Sequence, residues 1–119
     1  MPNRRLSDEE RKQSDAALET VRRSLANLSS GDRELLFAHR RRLIVRLTHD
    51  ERDTPAKRNK LKAIKRREQN GLCAACSEPL PEKYVELDRC RASDGYTVEN
   101  TRLLHHRCHI EDQARKAYT

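Results

Sequence analysis

The sequence predicts an α+β chain in which N-terminal helices precede a metal-stapled ββα unit, with the boundary near residue 70. Three observations carry this. Apolar residues recur at helical spacing through the first 70 positions, Tyr84–Asp88 alternates apolar with polar residues, and the pair Cys73-x-x-Cys76 is answered later by His105-x-x-Cys108.

Taken in order, Ser7-Asp8-Glu9-Glu10 has the form of a capping box, in which the serine hydroxyl and the glutamate carboxylate satisfy each other's backbone N–H groups. Leu18, Val21, Leu25 and Leu28 then repeat at helical spacing up to the Ser29-Ser30-Gly31 break, so helix one is expected from about Asp8 to Leu28. Asp32 is the N-cap of a second helix. On it Leu36, Leu43 and Leu47 share a face with Ile44 beside them, and it should end between Thr48 and Asp50. Thr54-Pro55 combines an N-cap with proline at the first helical position, and Asn70-Gly71 is a stop, giving a third helix over Ala56–Gln69. Pro79 and Pro81 make a turn. Tyr84–Asp88 is the first strand, Ser93-Asp94-Gly95 turns the chain, and Thr101–Leu104 is the second strand. A last helix over His106–Ala117 carries Cys108 and His109 and can turn Ile110, Ala114 and Ala117 to the core. The apolar stripes of the helical half suit either intramolecular packing as a three-helix support, the blander choice, or a homodimer contact through helix one.

Composition limits what such a chain can bury. Of 119 residues only 34% are hydrophobic, with no Trp and a single Phe, so a large core is not available. A metal that binds only the folded chain offsets that deficit, because its binding free energy becomes folding free energy. The net charge of +7 is unevenly placed: residues 1–32 hold six basic and six acidic side chains, residues 33–67 thirteen against four, and the remainder seven against nine. The middle third, with Arg40-Arg41-Arg42, Lys57-Arg58, Lys60, Lys62 and Lys65-Arg66-Arg67, suits contact with nucleic-acid phosphates, against the plainer reading of a solvated charged face. Met1-Pro2-Asn3-Arg4-Arg5 has no apolar leader character, and no membrane partner is expected; the expected compartment is the cytoplasm.

Soft thiolate and imidazole ligands suit Zn²⁺ in a closed tetrahedron, and a two-residue spacing lets both members of a pair reach one ion. Cys73, Cys76, His105 and Cys108 are therefore the preferred structural zinc set, with disulfides or free thiols as the alternatives. Cys90 is read as a small, partly buried thiol outside it. A second constellation calls for a harder ion. Asp88 and His109 could share a divalent metal, Mg²⁺ or a similar ion, that also binds a phosphate oxygen. The plain reading has Asp88 pairing with Arg89 and His109 on a helix surface. His39 and His49, with no cysteines nearby, are read as ordinary surface or boundary residues.

The ordered combination of Cys73-x-x-Cys76, Glu86-x-Asp88, a glycine-containing loop, Glu99-Asn100, a short apolar strand and His105-x-x-Cys108-His109 resembles the HNH endonucleases of the ββα-metal, or His-Me finger, type, over about residues 65 to 115. The resemblance implies that the helical, basic region read above at 1–70 is followed by a zinc-stapled HNH module at 71–119. It also implies metal-dependent hydrolysis of phosphodiester bonds in DNA. Asp88 and His109 would hold the catalytic divalent ion, Asn100 would hold the loop between the strands, and His105 stands where the family usually has a cysteine. Asp88-Arg89 followed by Gly95-Tyr96-Thr97 and Asn100 is similar to nuclease-like proteins of phages and bacteria.

The departure from that family is Arg89, which stands where the family has its general-base histidine. Arginine cannot accept a proton at usable pH, although it can clamp a phosphate. Three accounts stay open: His106 substitutes as base, the metal alone acidifies its water, or the module binds nucleic acid without cutting it.

Overall fold

The computed structural model describes residues 3–116, which form four α-helices and one antiparallel hairpin: α1 (Asp8–Ser29), α2 (Arg33–Arg52), α3 (Pro55–Glu68), β1 (Val85–Arg89), a 3-10 turn (Ala92–Asp94), β2 (Thr101–His105) and α4 (His106–Lys116). The fold is α+β. Residue Ala117, the expected end of the last helix, and residues 1, 2, 118 and 119 of the two expected regions lie outside the described residues.

Local chemistry sets the helix starts. Glu10 N–H donates to Ser7 Oγ at 3.1 Å and Ser7 N–H to Glu10 Oε1 at 2.9 Å, closing both halves of the capping box. Asp32 Oδ1 accepts from the N–H groups of Glu34 and Leu35. Thr54 Oγ1 accepts from Lys57 N–H, with Pro55 opening α3. Helix α2 runs to Arg52, past the expected stop, and the chain then reverses at Asp53 with φ 61°.

The chain divides into two compact units, Arg4–Asp50 and one that begins at Glu51. In the first, α1 buries only Leu25 and Ser29, and α2 buries no residue. Leu18, Val21, Leu43, Ile44 and Leu47 instead line an open groove of about 550 Å³. Helix α3 belongs to the second unit, where it packs on β2.

That second unit has the core. Leu61 of α3, Cys73, Leu80, Leu87 of β1, Leu103 and Leu104 of β2 and Cys108 of α4 are buried together. The strands pair with Val85 opposite His105, Leu87 opposite Leu103 and Asp88 opposite Arg102. A two-stranded sheet leaves unpaired edges, and here the side chain of Gln69 covers one: its Oε1 accepts from Leu103 N–H at 2.8 Å and its Nε2 donates to Leu103 O at 3.1 Å. Ala74 N–H adds a bond to the same carbonyl.

Three expectations need correcting. Tyr84 does not begin the first strand; it has φ 64° and is 87% exposed, so the extended run starts at Val85. Ile110 and Ala114 face outward, because α4 turns Cys108, His109, Asp112 and Gln113 inward, the i, i+1, i+4, i+5 face. Cys90, expected to be partly buried, is exposed.

Candidate metal centre and adjoining cleft

The first cysteine pair sits in a tight turn that follows the left-handed Asn70-Gly71 stop of α3. Cys73 N–H donates to Glu78 O and Ser77 N–H to Cys73 O, while Leu80 N–H reaches Gly71 O. The second pair straddles the junction of β2 and α4. Ligand atoms of Cys73, Cys76, His105 and Cys108 all lie within 4.8 Å of one another, close to the roughly 3.8 Å separating sulfurs around one tetrahedral zinc. The cluster could hold a metal such as zinc.

The donor set fits a cation in three respects. His105 Nε2 lies 2.8 Å from the carbonyl of Pro79, which can only accept, so Nε2 carries a proton and Nδ1, 3.2 Å from Cys76 Sγ, is the nitrogen turned to the cluster. Burial works against ionising Cys73, but N–H groups of Cys76, His105 and Ala75 outweigh it and lower the thiol to about 6. Burial and the neighbouring sulfurs Cys73 and Cys76 push Cys108 up. Crowded sulfurs that cannot all ionise together are what a divalent ion relieves.

One residue beyond Cys108, His109 faces a different neighbour. Its Nδ1 is buried without a hydrogen bond and lies 3.5 Å from Asp88 Oδ1. Asp88, one residue before the end of β1 and 1% exposed, takes Arg102 Nε on Oδ2 at 3.1 Å and Gln113 Nε2 on Oδ1 at 3.5 Å. Arg102 also donates to Asp112 Oδ1 at 3.3 Å. Asp88 and His109 open, with Arg89, Tyr96 and Gln113, onto a cleft of about 300 Å³. The imidazole and the carboxylate thus meet at one wall of this cleft, with the carboxylate already paired to Arg102.

The other expected site residues are distributed as follows. Asn100 Nδ2 donates to the carbonyls of Arg91 and Gly95 at 2.8 and 2.6 Å, and its Oδ1 accepts from Arg91 N–H, so one side chain closes the loop between the strands. Arg89 is buried, donates to Ala92 O at 3.2 Å and stacks on Tyr96. His106 is not brought to the cleft; its Nδ1 pairs with Glu86 Oε1 at 2.9 Å on the exposed side of α4.

The basic residues split. Arg40, Arg41 and Arg42 are exposed on α2, and Lys57 and Arg67 are exposed on α3, with Lys62 half-buried. Lys65, Arg66 and Arg58, expected to face phosphates, are engaged by main-chain carbonyls instead: Lys65 Nζ by Val98 O at 2.8 Å, Arg66 by Pro81 O at 2.8 Å, and Arg58 by Arg52 O and Asp53 O. Their charge ties α3 to the loops around it.

Sequence reasoning missed Arg102, Gln113, Tyr96 and Arg52 as site residues. Two signals were there: Gln113 lies four residues after His109 on the same helical face, and Arg102 falls opposite Asp88 once the hairpin register is counted. Comparison with protein-family models, with curated proteins and with solved structures finds no match. Among the described residues no helix is long and apolar enough to cross a membrane.

Proposed function

We propose that the chain is an HNH-type, metal-dependent endonuclease that hydrolyses phosphodiester bonds in DNA. The observation that carries the reading is the buried His109 Nδ1 set 3.5 Å from Asp88 Oδ1 on a cleft, one residue along α4 from a Cys3His cluster. Zinc in that cluster would staple the hairpin to α4. Asp88 and His109 would hold Mg²⁺ or a similar ion, which supplies charge stabilisation at a phosphate and eases deprotonation of water. Arg102 and Gln113 orient the Asp88 carboxylate, and Arg89, next to Asp88 in β1, lines the same cleft. Arg40, Arg41 and Arg42 of α2 and Lys57 and Arg67 of α3, all exposed, would supply sequence-independent backbone contacts.

A second reading, binding without cutting, has its own support. Arg89 occupies the position of the family's base, and Arg102 already neutralises Asp88, so a cation there must compete with a guanidinium. A nicking assay on supercoiled plasmid separates the two, with wild type, His109→Ala and His106→Ala compared across Mg²⁺, Mn²⁺ and Zn²⁺. The nuclease reading expects cutting that His109→Ala abolishes and His106→Ala leaves nearly intact. Salt-sensitive binding with no cutting in any metal would establish the second reading, and cutting indifferent to His109→Ala would remove the first.

A further inference from the structure

Three guanidinium groups gather around Tyr96. Arg89 Cζ lies 4.8 Å and Arg58 Cζ 5.9 Å from the ring centroid, and Arg52 Nη2 donates to Tyr96 Oη at 3.4 Å. They differ in what they do. Arg58 is engaged in holding the end of α2, through carbonyls of Arg52 and Asp53 at 2.9 and 2.6 Å, and so fixes where the Arg52 side chain departs. Arg89 is buried against the ring. Arg52 is exposed, and among the described residues no carboxylate lies within ion-pair distance of it.

Arg52, Tyr96 and Arg89 line the same cleft of about 300 Å³ as Asp88 and His109. Glu51 lines it too, so its charge is mixed, and an anion would be selected there by donor geometry rather than by net potential. The planar guanidinium fork of exposed Arg52 can give two parallel N–H bonds to the oxygens of a phosphate, beside the Tyr96 hydroxyl, while Arg89, with Nη1 on Ala92 O, adds positive charge behind the ring. We propose that Arg52, Tyr96 and Arg89 form a phosphate seat separate from the Asp88–His109 pair, taking a neighbouring backbone phosphate of the polynucleotide. Tyr96 is the positioning residue: its ring stacks on Arg89 and its hydroxyl holds Arg52. The identity of the ligand as nucleic acid rests on the nuclease reading; the seat itself does not.

The test uses the zinc-loaded full chain without Mg²⁺. Inorganic phosphate and a short DNA oligonucleotide are titrated separately while the arginine Nε–H signals are followed by NMR, in wild type, Arg52→Gln, Arg52→Lys and the charge control Arg33→Gln. Movement of the Arg52 and Arg89 signals together is expected, with Arg52→Gln weakening oligonucleotide affinity about tenfold and Arg52→Lys, which keeps the charge and loses the fork, restoring little. A response to phosphate but not to the oligonucleotide would keep the seat and assign it a free anion. Equal losses in Arg52→Gln and Arg33→Gln, or signals that move with neither titrant, would overturn it. Binding at Arg52 in a chain that the plasmid assay shows never to cut removes only the nuclease reading; undiminished oligonucleotide affinity in Arg52→Gln removes only the seat.

Discussion

Asp88 and Arg102 face one another across the hairpin register, and Arg102 Nε lies 3.1 Å from Asp88 Oδ2. The carboxylate is buried while the guanidinium is about a third exposed, so the pair is anchored at one end and reachable from the other. Removing only the arginine leaves the buried charge poorly compensated. Arg102→Leu should cost about 3 kcal/mol in chemical denaturation, and combining it with Asp88→Asn should recover part of that loss. Strictly additive losses would mean that the two side chains do not interact in solution.

The cluster should behave as part of the core, since Cys73 and Cys108 are buried among Leu61, Leu87, Leu103 and Leu104. Stripping metal with a strong chelator, or Cys73→Ala, is expected to collapse the NMR dispersion of the hairpin. Retained amide protection at Leu103 and Leu104 after stripping would divorce the fold from the cluster.

Gln69 makes two bonds to the backbone of Leu103 that no other side chain replaces among the described residues. Gln69→Ala leaves a buried N–H without its acceptor and should cost about 2 kcal/mol, whereas Gln69→Glu, which keeps the acceptor and loses the donor, should disturb the two bonds unequally. Hydrogen exchange at Leu103 reads the difference directly.

A pH dependence attaches to the start of α1. Glu10 is lowered from 4.5 to about 2, first by the Ser7 backbone N–H, then by Arg4 and the Ser7 hydroxyl. Because the folded value is depressed, the capping box contributes fully above pH 4.5 and its contribution is lost as pH falls through about 2. Carboxyl NMR of Glu10 should therefore titrate well below the free-glutamate range, and Arg4→Ala should move it upward. A Glu10 midpoint near 4.5 would show the box open in solution.

Much of this was legible because its causes are local. Ser7, Asp32 and Thr54 cap helices through bonds spanning two or three residues, and the cysteine pairs announce themselves by spacing. What was not legible depends on contacts between distant segments. Arg102 looks like any strand arginine until the register sets it across from Asp88. Lys65 and Arg66 look like phosphate ligands until the loops bring Val98 O and Pro81 O to them. Ile110 and Ala114 suggested the wrong face of α4, because the inward face is polar and is paired with charged groups of the hairpin, an arrangement no apolar periodicity reveals.

Cys90 gives the chain a built-in gauge. It is the cysteine left outside the Cys73, Cys76, Cys108 set, and it is exposed. Once an ion is held, three of the four sulfurs are shielded, so an alkylating reagent should add a single mass increment to the intact chain and four to the stripped one. Metal content then becomes a quantity that can be weighed molecule by molecule.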